Sequence, residues 1–210
     1  MYIYISGAAD KCVHIVALLR NDDDDVEVTK WSVNDVAGRL SVTDTHTVLV
    51  TCRDVHRIKQ FTTNGQLLNK IKLPQKVVSP WHSIQLSSGE FVVSHGEPTD
   101  PVHVVCLIGS DGHVVKSHGG LKGSGSQEMN VPIHLAVDKN GFVFVDDFIN
   151  RRVLLLSPGL TYIREVVSCQ QFKWRPCRLF LDVDRRRLYV ADNELKDGEF
   201  IAGRVVVICV

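Results

Sequence analysis

This chain has no excess of charge: 24 Lys and Arg offset 24 Asp and Glu. Bulk electrostatics therefore predict no nucleic-acid or membrane partner, and any such binding needs a local patch. No apolar run approaches the ~20 residues of a membrane span. The opening MYIYISGAADKC has no basic segment followed by a long apolar run, so no signal peptide and a cytoplasmic location are expected. None of the six cysteines, at 12, 52, 106, 169, 177 and 209, forms a C-x-x-C pair, which argues against a zinc knuckle or a thioredoxin-like site. Cys52, Cys106 and Cys209 lie in apolar runs and read as small buried hydrophobes. Reduced thiols are expected throughout, with a Cys169–Cys177 disulfide as the alternative.

Helical periodicity is also missing. LLRNDDDDVEV at 18–28 comes nearest, and four aspartates break it. The Asp22–Asp25 run reads as a solvated turn, because a calcium loop needs alternating ligands and a Gly. No G-x-S-x-G is present. Gly119–Ser126 lacks the order of a phosphate-binding loop and leads into no helix, so it reads as a linker.

What is present is a succession of short runs rich in Val, Ile, Leu and Phe. They are punctuated by Asn64-Gly65, Ser88-Gly89, Asp111-Gly112 and Asn140-Gly141, dipeptides suited to tight hairpins. The chain is all-β, and its composition of 44% hydrophobic and 23% charged residues supports a globular core. The runs recur. Aligned on Tyr4-Ile5, Leu49-Val50, Val92-Val93, Phe144-Val145 and Tyr189-Val190, the steps are 45, 43, 52 and 45 residues. A period in the forties with four short strands per unit predicts a β-propeller of four-stranded antiparallel blades. The long step is explained by insertions at 97–101 and 119–130. The units are placed at 1–33, 34–74, 75–119, 131–169 and 174–210, in one domain, with 119–130 as a connector. Three are complete. The chain starts in a second strand and stops in a third, so the terminal units are partial.

Residues 132–153 resemble the NHL repeat at Pro132, Asp138, Gly141, Val145, Asp147, Asn150, Arg152 and Val153. Residues 176–192 do so at Pro176, Asp182, Tyr189, Val190 and Asp192. The unit at 38–72 keeps Arg57-Ile58, and the unit at 80–118 has lost the Asp and the Arg. The resemblance implies a ring of six blades of which this chain is a fragment; the alternative is five blades that close imperfectly. It also implies that Asp147, Asn150, Arg152 and Asp192 are structural, tying a turn to neighbouring backbone by charge-assisted hydrogen bonds.

First strands line a propeller's channel. Arg39, His82, His134 and Arg178 occupy equivalent positions near the start of four of them and should ring one mouth. Converging cations favour an anion; the plain alternative is that each bonds a neighbouring blade's carbonyl or pairs with an aspartate. Two arginines in such a ring repel a metal. The turns between second and third strands add Arg53, His56, Phe148, Arg151 and Lys196 to this face. An exposed Phe148 can stack on a base or fill a partner's pocket, or simply pack.

Three functions remain. The first is a non-catalytic recognition module without cofactor or metal, binding a protein or single-stranded RNA. The resemblance to NHL propellers of tripartite-motif proteins implies that any ubiquitin-ligase activity resides in other domains. The second is a metal-dependent propeller enzyme of lyase or lactonase type. The third is a decayed scaffold. Zero net charge tips the first toward a protein partner.

Overall fold

A computed structural model describes residues 2–18, 26–196 and 199–210. Among them, five antiparallel sheets form the blades of a propeller. Blade I holds β1 (Tyr2–Gly7), β2 (Cys12–Leu18) and β3 (Val26–Ser32). Blade II holds β4 (Leu40–Val42), β5 (Val48–Cys52), β6 (Arg57–Phe61) and β7 (Leu67–Lys72). Blade III holds β8 (Pro80–Gln85), β9 (Phe91–His95), β10 (Val102–Ile108) and β11 (Val114–Leu121). Blade IV holds β12 (Pro132–Val137), β13 (Val143–Asp147), β14 (Arg152–Leu156) and β15 (Tyr162–Val167). Blade V holds β16 (Arg175–Asp182), β17 (Arg187–Lys196) and β18 (Glu199–Cys209).

This chain forms five blades where the resemblance implied a ring of six, and the first and last have three strands each. The stretch expected to be a connector from residue 119 is shorter. β11 continues to Leu121, pairing with Val102, because Gly119 takes φ +100° where a Cβ would collide with the His103 carbonyl. Inside the blade IV hairpin, Gly141 takes φ +84° and its N–H donates to the Asp138 carbonyl at 3.0 Å. All six cysteines are free thiols, so no Cys169–Cys177 bond forms, and Cys209 is exposed on terminal strand β18 rather than buried.

Period-2 alternation sends successive residues of the middle strands to opposite seams. Val143 and Val145 join Leu135, Leu154 and Leu156 against Ile84, Val92, Val105 and Leu107 of blade III. Phe144 and Val153 join Leu179, Leu188 and Val190 of blade V. Two further clusters fill the seams between blades I and II and between II and III. Each fully buried Leu, Val or Phe contributes ~1.5–3 kcal/mol. These seams are why the middle strands read as unbroken apolar runs. The outer faces of the terminal blades remain exposed, at Ile3, Ile5 and Val28 on one and Phe180, Val205 and Val207 on the other.

A polar device recurs beneath the apolar seams: a third-strand cation reaches back to the segment that leads into its own blade. Arg152 Nε donates to Asp147 Oδ2 at 2.7 Å, and its other nitrogens donate to the carbonyls of Ser124, Gly125 and Glu128. Asp147 also accepts from Asn150 and from the Asn130 N–H. Arg204 does the same in blade V, donating to Asp192 and to the Gln171 carbonyl, while Asp192 accepts from the Trp174 N–H. Blade II places Cys52 opposite Arg57, so the acid is lost, and Arg57 is exposed. Buried Lys59 replaces it, bound to Asp35 at 2.5 Å and to the Val33 carbonyl at 2.7 Å.

Arg152→Ala leaves Asp147 buried without its cation and should cost about 3–5 kcal/mol in urea unfolding. Arg204→Ala should cost less, because water reaches its side chain, which is 42% exposed. Equal losses would refute the burial argument.

Candidate functional site

Register defines one face of the ring. Pro80 lies opposite His95, Pro132 opposite Asp147 and Pro176 opposite Asp192, so first strands begin where second strands end. The segments leading into the blades and the turns between second and third strands therefore share this face, the channel mouth.

The four equivalent residues just inside the mouth come together as two pairs. His82 stacks on His134 with ring centroids 4.1 Å apart. His82 is 1% exposed and has no nitrogen to offer a ligand. Its Nδ1 accepts the Leu135 N–H of blade IV at 3.1 Å, which leaves Nε2 to donate to the Leu40 carbonyl of blade II at 3.1 Å. His134 Nδ1 accepts the Leu179 N–H of blade V at 3.3 Å. Of the two expectations for these positions, an anion site or bonds to a neighbouring blade, the imidazoles make bonds of the second kind and stitch four blades through neutral rings. Burial pushes His82 down to about 4. His134 lies well below its usual value, through burial and the neighbouring His82. The arginines form the second pair. Arg39 and Arg178 both donate to the Cys177 carbonyl, at 3.4 and 2.8 Å. Arg39 thereby links blade II to blade V.

Outside this layer the mouth carries aromatic rings with cations over them. Arg53 and Arg39 lie 4.3 and 5.8 Å from the centre of Trp81, and Arg53 also pairs with Glu97. Trp81 is fixed by its indole N–H donating to the Gly96 carbonyl at 3.0 Å. On the opposite side Arg175 lies 5.4 Å from the centre of Phe148, and Lys173 4.3 Å from Trp174. His56 and Arg151 hold the same place in their turns. Both sit at positive φ, 49° and 53°, just before the third strand, which turns them outward. The side chain of Lys196 and the Asp22–Asp25 run lie outside the described residues. Sequence reasoning missed Trp81, Lys173, Trp174 and Arg175. The signal was available in PWH, where Trp81 follows the opening Pro, and in KWRP, where Trp174 lies two residues before it.

One buried group is uncompensated. Asp146 is 0% exposed and neither carboxyl oxygen has a partner. Burial, then the adjacent Asp147, raises it well above the usual carboxylate range, which favours the protonated form. Its equivalents are Thr51, Ser94 and Ala191. Thr51 satisfies itself on Ser83 Oγ at 2.8 Å. Among the described residues no three His, Cys, Asp or Glu side chains come together to hold a metal ion. No described helix is long and apolar enough to cross a membrane.

No protein-family model matches the chain, and no curated protein sequence matches it. Solved structures do. A streptogramin B lyase is 11% identical, with a TM-score of 0.64 over 100% of this chain and 65% of its own. Virginiamycin B lyase from Staphylococcus aureus is 12% identical, with a TM-score of 0.62 over 100% of this chain and 66% of its own. A Bacteroides caccae protein of unknown function is 13% identical, with a TM-score of 0.58 over 97% of this chain and 72% of its own. The likeness is one of fold. This chain spans about two thirds of the length of the two lyases.

Two pH effects of opposite sign follow. Unfolded histidine takes a proton near 6.5 and folded His82 only near 4, so the stability that its neutral ring contributes is complete above pH 6.5 and declines between pH 6.5 and 4. The shift corresponds to about 3 kcal/mol. A stability curve that is flat over that window would refute the neutral bridge. Asp146 acts the other way: its carboxyl is held well above the unfolded value of 3.8, so it costs stability as pH rises above 3.8. Asp146→Asn should be more stable than wild type at pH 7, with the gain shrinking toward pH 4. A gain independent of pH would show that the carboxyl is not the cause.

Proposed function

We propose that this propeller is a non-catalytic recognition module that binds a macromolecular partner, a protein or single-stranded RNA, on the channel-mouth face. The observation that carries the reading is the interleaving of Trp81, Phe148 and Trp174 with Arg39, Arg53, Arg151, Lys173 and Arg175 on one face of a chain with no net charge. Such a patch concentrates positive potential locally and provides rigid amphipathic contact area. The core of the mouth supports the same reading. Its imidazoles are neutral and engaged in bridging blades, and Arg39 spans from blade II to the Cys177 carbonyl, so the layer below the surface serves cohesion. The resemblance of 132–153 to the NHL repeat supports a place beside ubiquitin-ligase domains of a larger cytoplasmic tripartite-motif protein. Ligase chemistry would then belong to those domains.

The competing reading is a metal-dependent lyase-type enzyme. The uncompensated carboxyl of Asp146 favours it, since perturbed acids cluster at functional sites. It predicts stoichiometric metal on elemental analysis after gentle purification.

The recognition reading predicts saturable binding of single-stranded RNA or of acidic peptides that weakens with salt. Replacing Arg39 and Arg53 together by Ala should reduce both the affinity and the steepness of the salt dependence. Filter binding and fluorescence anisotropy at two salt concentrations measure this. Absence of binding at low salt for both ligand classes would refute the proposal.

A further inference from the structure

The mouth has one concave region rich in cations. It is an open groove of about 370 Å³ between blades IV and V, lined by Phe148, Arg151, Lys173, Trp174, Arg175 and Glu194. We propose that this groove binds an acidic peptide segment, its carboxylates held by the Arg151, Lys173 and Arg175 head groups. The proposal rests on the recognition reading and narrows its ligand to one class.

Two observations separate an acidic peptide from a nucleic-acid strand. The first is the state of the rings. A base-stacking platform needs open aromatic faces. Phe148 and Trp174 are half-buried, and each already has one of the chain's own cations over it, Arg175 at 5.4 Å and Lys173 at 4.3 Å. A guanidinium lying over a ring still presents its in-plane N–H edge, the geometry that receives a carboxylate through two parallel hydrogen bonds. The rings therefore orient cations instead of offering themselves to bases. The second is charge: three cations face one carboxylate, Glu194, in the lining.

The groove is also preorganised. The segment carrying Lys173, Trp174 and Arg175 is pinned at four points. Phe172 is buried in the seam with blade IV, and Ser168 caps the turn through Gln171. Arg204 donates to the Gln171 carbonyl at 2.7 Å, and Asp192 accepts the Trp174 N–H at 3.3 Å. On the other wall Arg151 is directed by a turn at φ +53°, closed by its N–H donating to the Phe148 carbonyl. Cations held in place lose little freedom when a ligand arrives, which favours affinity from few contacts.

The test uses the whole chain and fluorescence anisotropy with three probes: a short Asp/Glu-rich peptide, its Asn/Gln counterpart, and oligouridine. The expected result is salt-dependent binding of the acidic peptide with no binding of its neutral counterpart. The Lys173→Ala/Arg175→Ala pair should weaken it by about ten-fold or more, consistent with loss of charge-assisted hydrogen bonds. Arg175→Lys, which keeps the charge and loses the fork, should weaken it by a smaller but measurable factor. Near-ultraviolet circular dichroism of Trp174 checks that the variants are folded, and Arg151→Glu, on the other wall, should abolish binding without touching the pinned segment. Oligouridine binding with no acidic-peptide binding would overturn the groove proposal and leave the recognition reading standing. Peptide binding lost equally in the Arg39→Ala/Arg53→Ala pair and retained in the groove variants would place the peptide elsewhere and also overturn it. Failure of every anionic probe would overturn both.

Discussion

The reach-back of a third-strand cation to the segment leading into its own blade is the interaction on which the rest of this propeller depends. Each incoming segment must cross the rim of the ring and turn into a first strand, leaving backbone carbonyls that no sheet can satisfy. Arg152 takes three of them at once and is itself neutralised by Asp147. The tether also tolerates local strain. Val131, a β-branched residue at φ +61°, begins the turn into blade IV. Its N–H is held by His103 Nδ1 at 2.8 Å, and its neighbour Asn130 by Asp147. In blade V the same device pins the segment that carries Lys173, Trp174 and Arg175. A structural motif thus becomes the support of the proposed binding surface.

The channel shows the other side of the same constraint. First strands converge there, and their side chains must either fill the space or face water. His82 and His134 fill it as neutral rings that exchange hydrogen bonds with three neighbouring blades, a use that demands both nitrogens of His82 and forbids its charge. Arg39 and Arg178, at the equivalent positions, share one carbonyl. Side-chain type, not position along the strand, divides the four: the imidazoles bridge blades through ring nitrogens, and the guanidiniums reach the Cys177 carbonyl. Asp146 stands apart as a carboxyl where the neighbouring blades carry Thr51, Ser94 and Ala191, and its burial beside Asp147 favours its neutral form.

Much of the architecture was legible because strand periodicity and turn chemistry are local. The alignment of Tyr4-Ile5 through Tyr189-Val190 falls on the strands β1, β5, β9, β13 and β17. The Asp147–Arg152 pair was legible because five residues separate two positions that register brings face to face. Its counterpart Arg204 was hidden for the same reason. The hairpin of blade V is longer, so the arginine opposite Asp192 lies twelve residues on, and a fixed-spacing pattern passes over it. Lys59 was hidden because the blade had exchanged both the acid and the position of the cation. Cys209 sits in an apolar run yet is exposed, since burial depends on having a neighbouring blade on that face.

The sequence by itself determined an all-β repeat of about forty-five residues, the blade order and the convergence of Arg39, His82, His134 and Arg178. Period, turn residues and equivalence between units are properties of the chain near in sequence. Only the tertiary structure decided what those four groups do, because the packing of the blades sets which neighbouring backbone groups each side chain can reach. It also decided which side chains meet in the groove proposed as a binding surface. Phe148 and Arg151 come from one blade, and Lys173, Trp174 and Arg175 from the next. No local pattern links them, and they meet only because the apolar seam between blades IV and V brings two turns together.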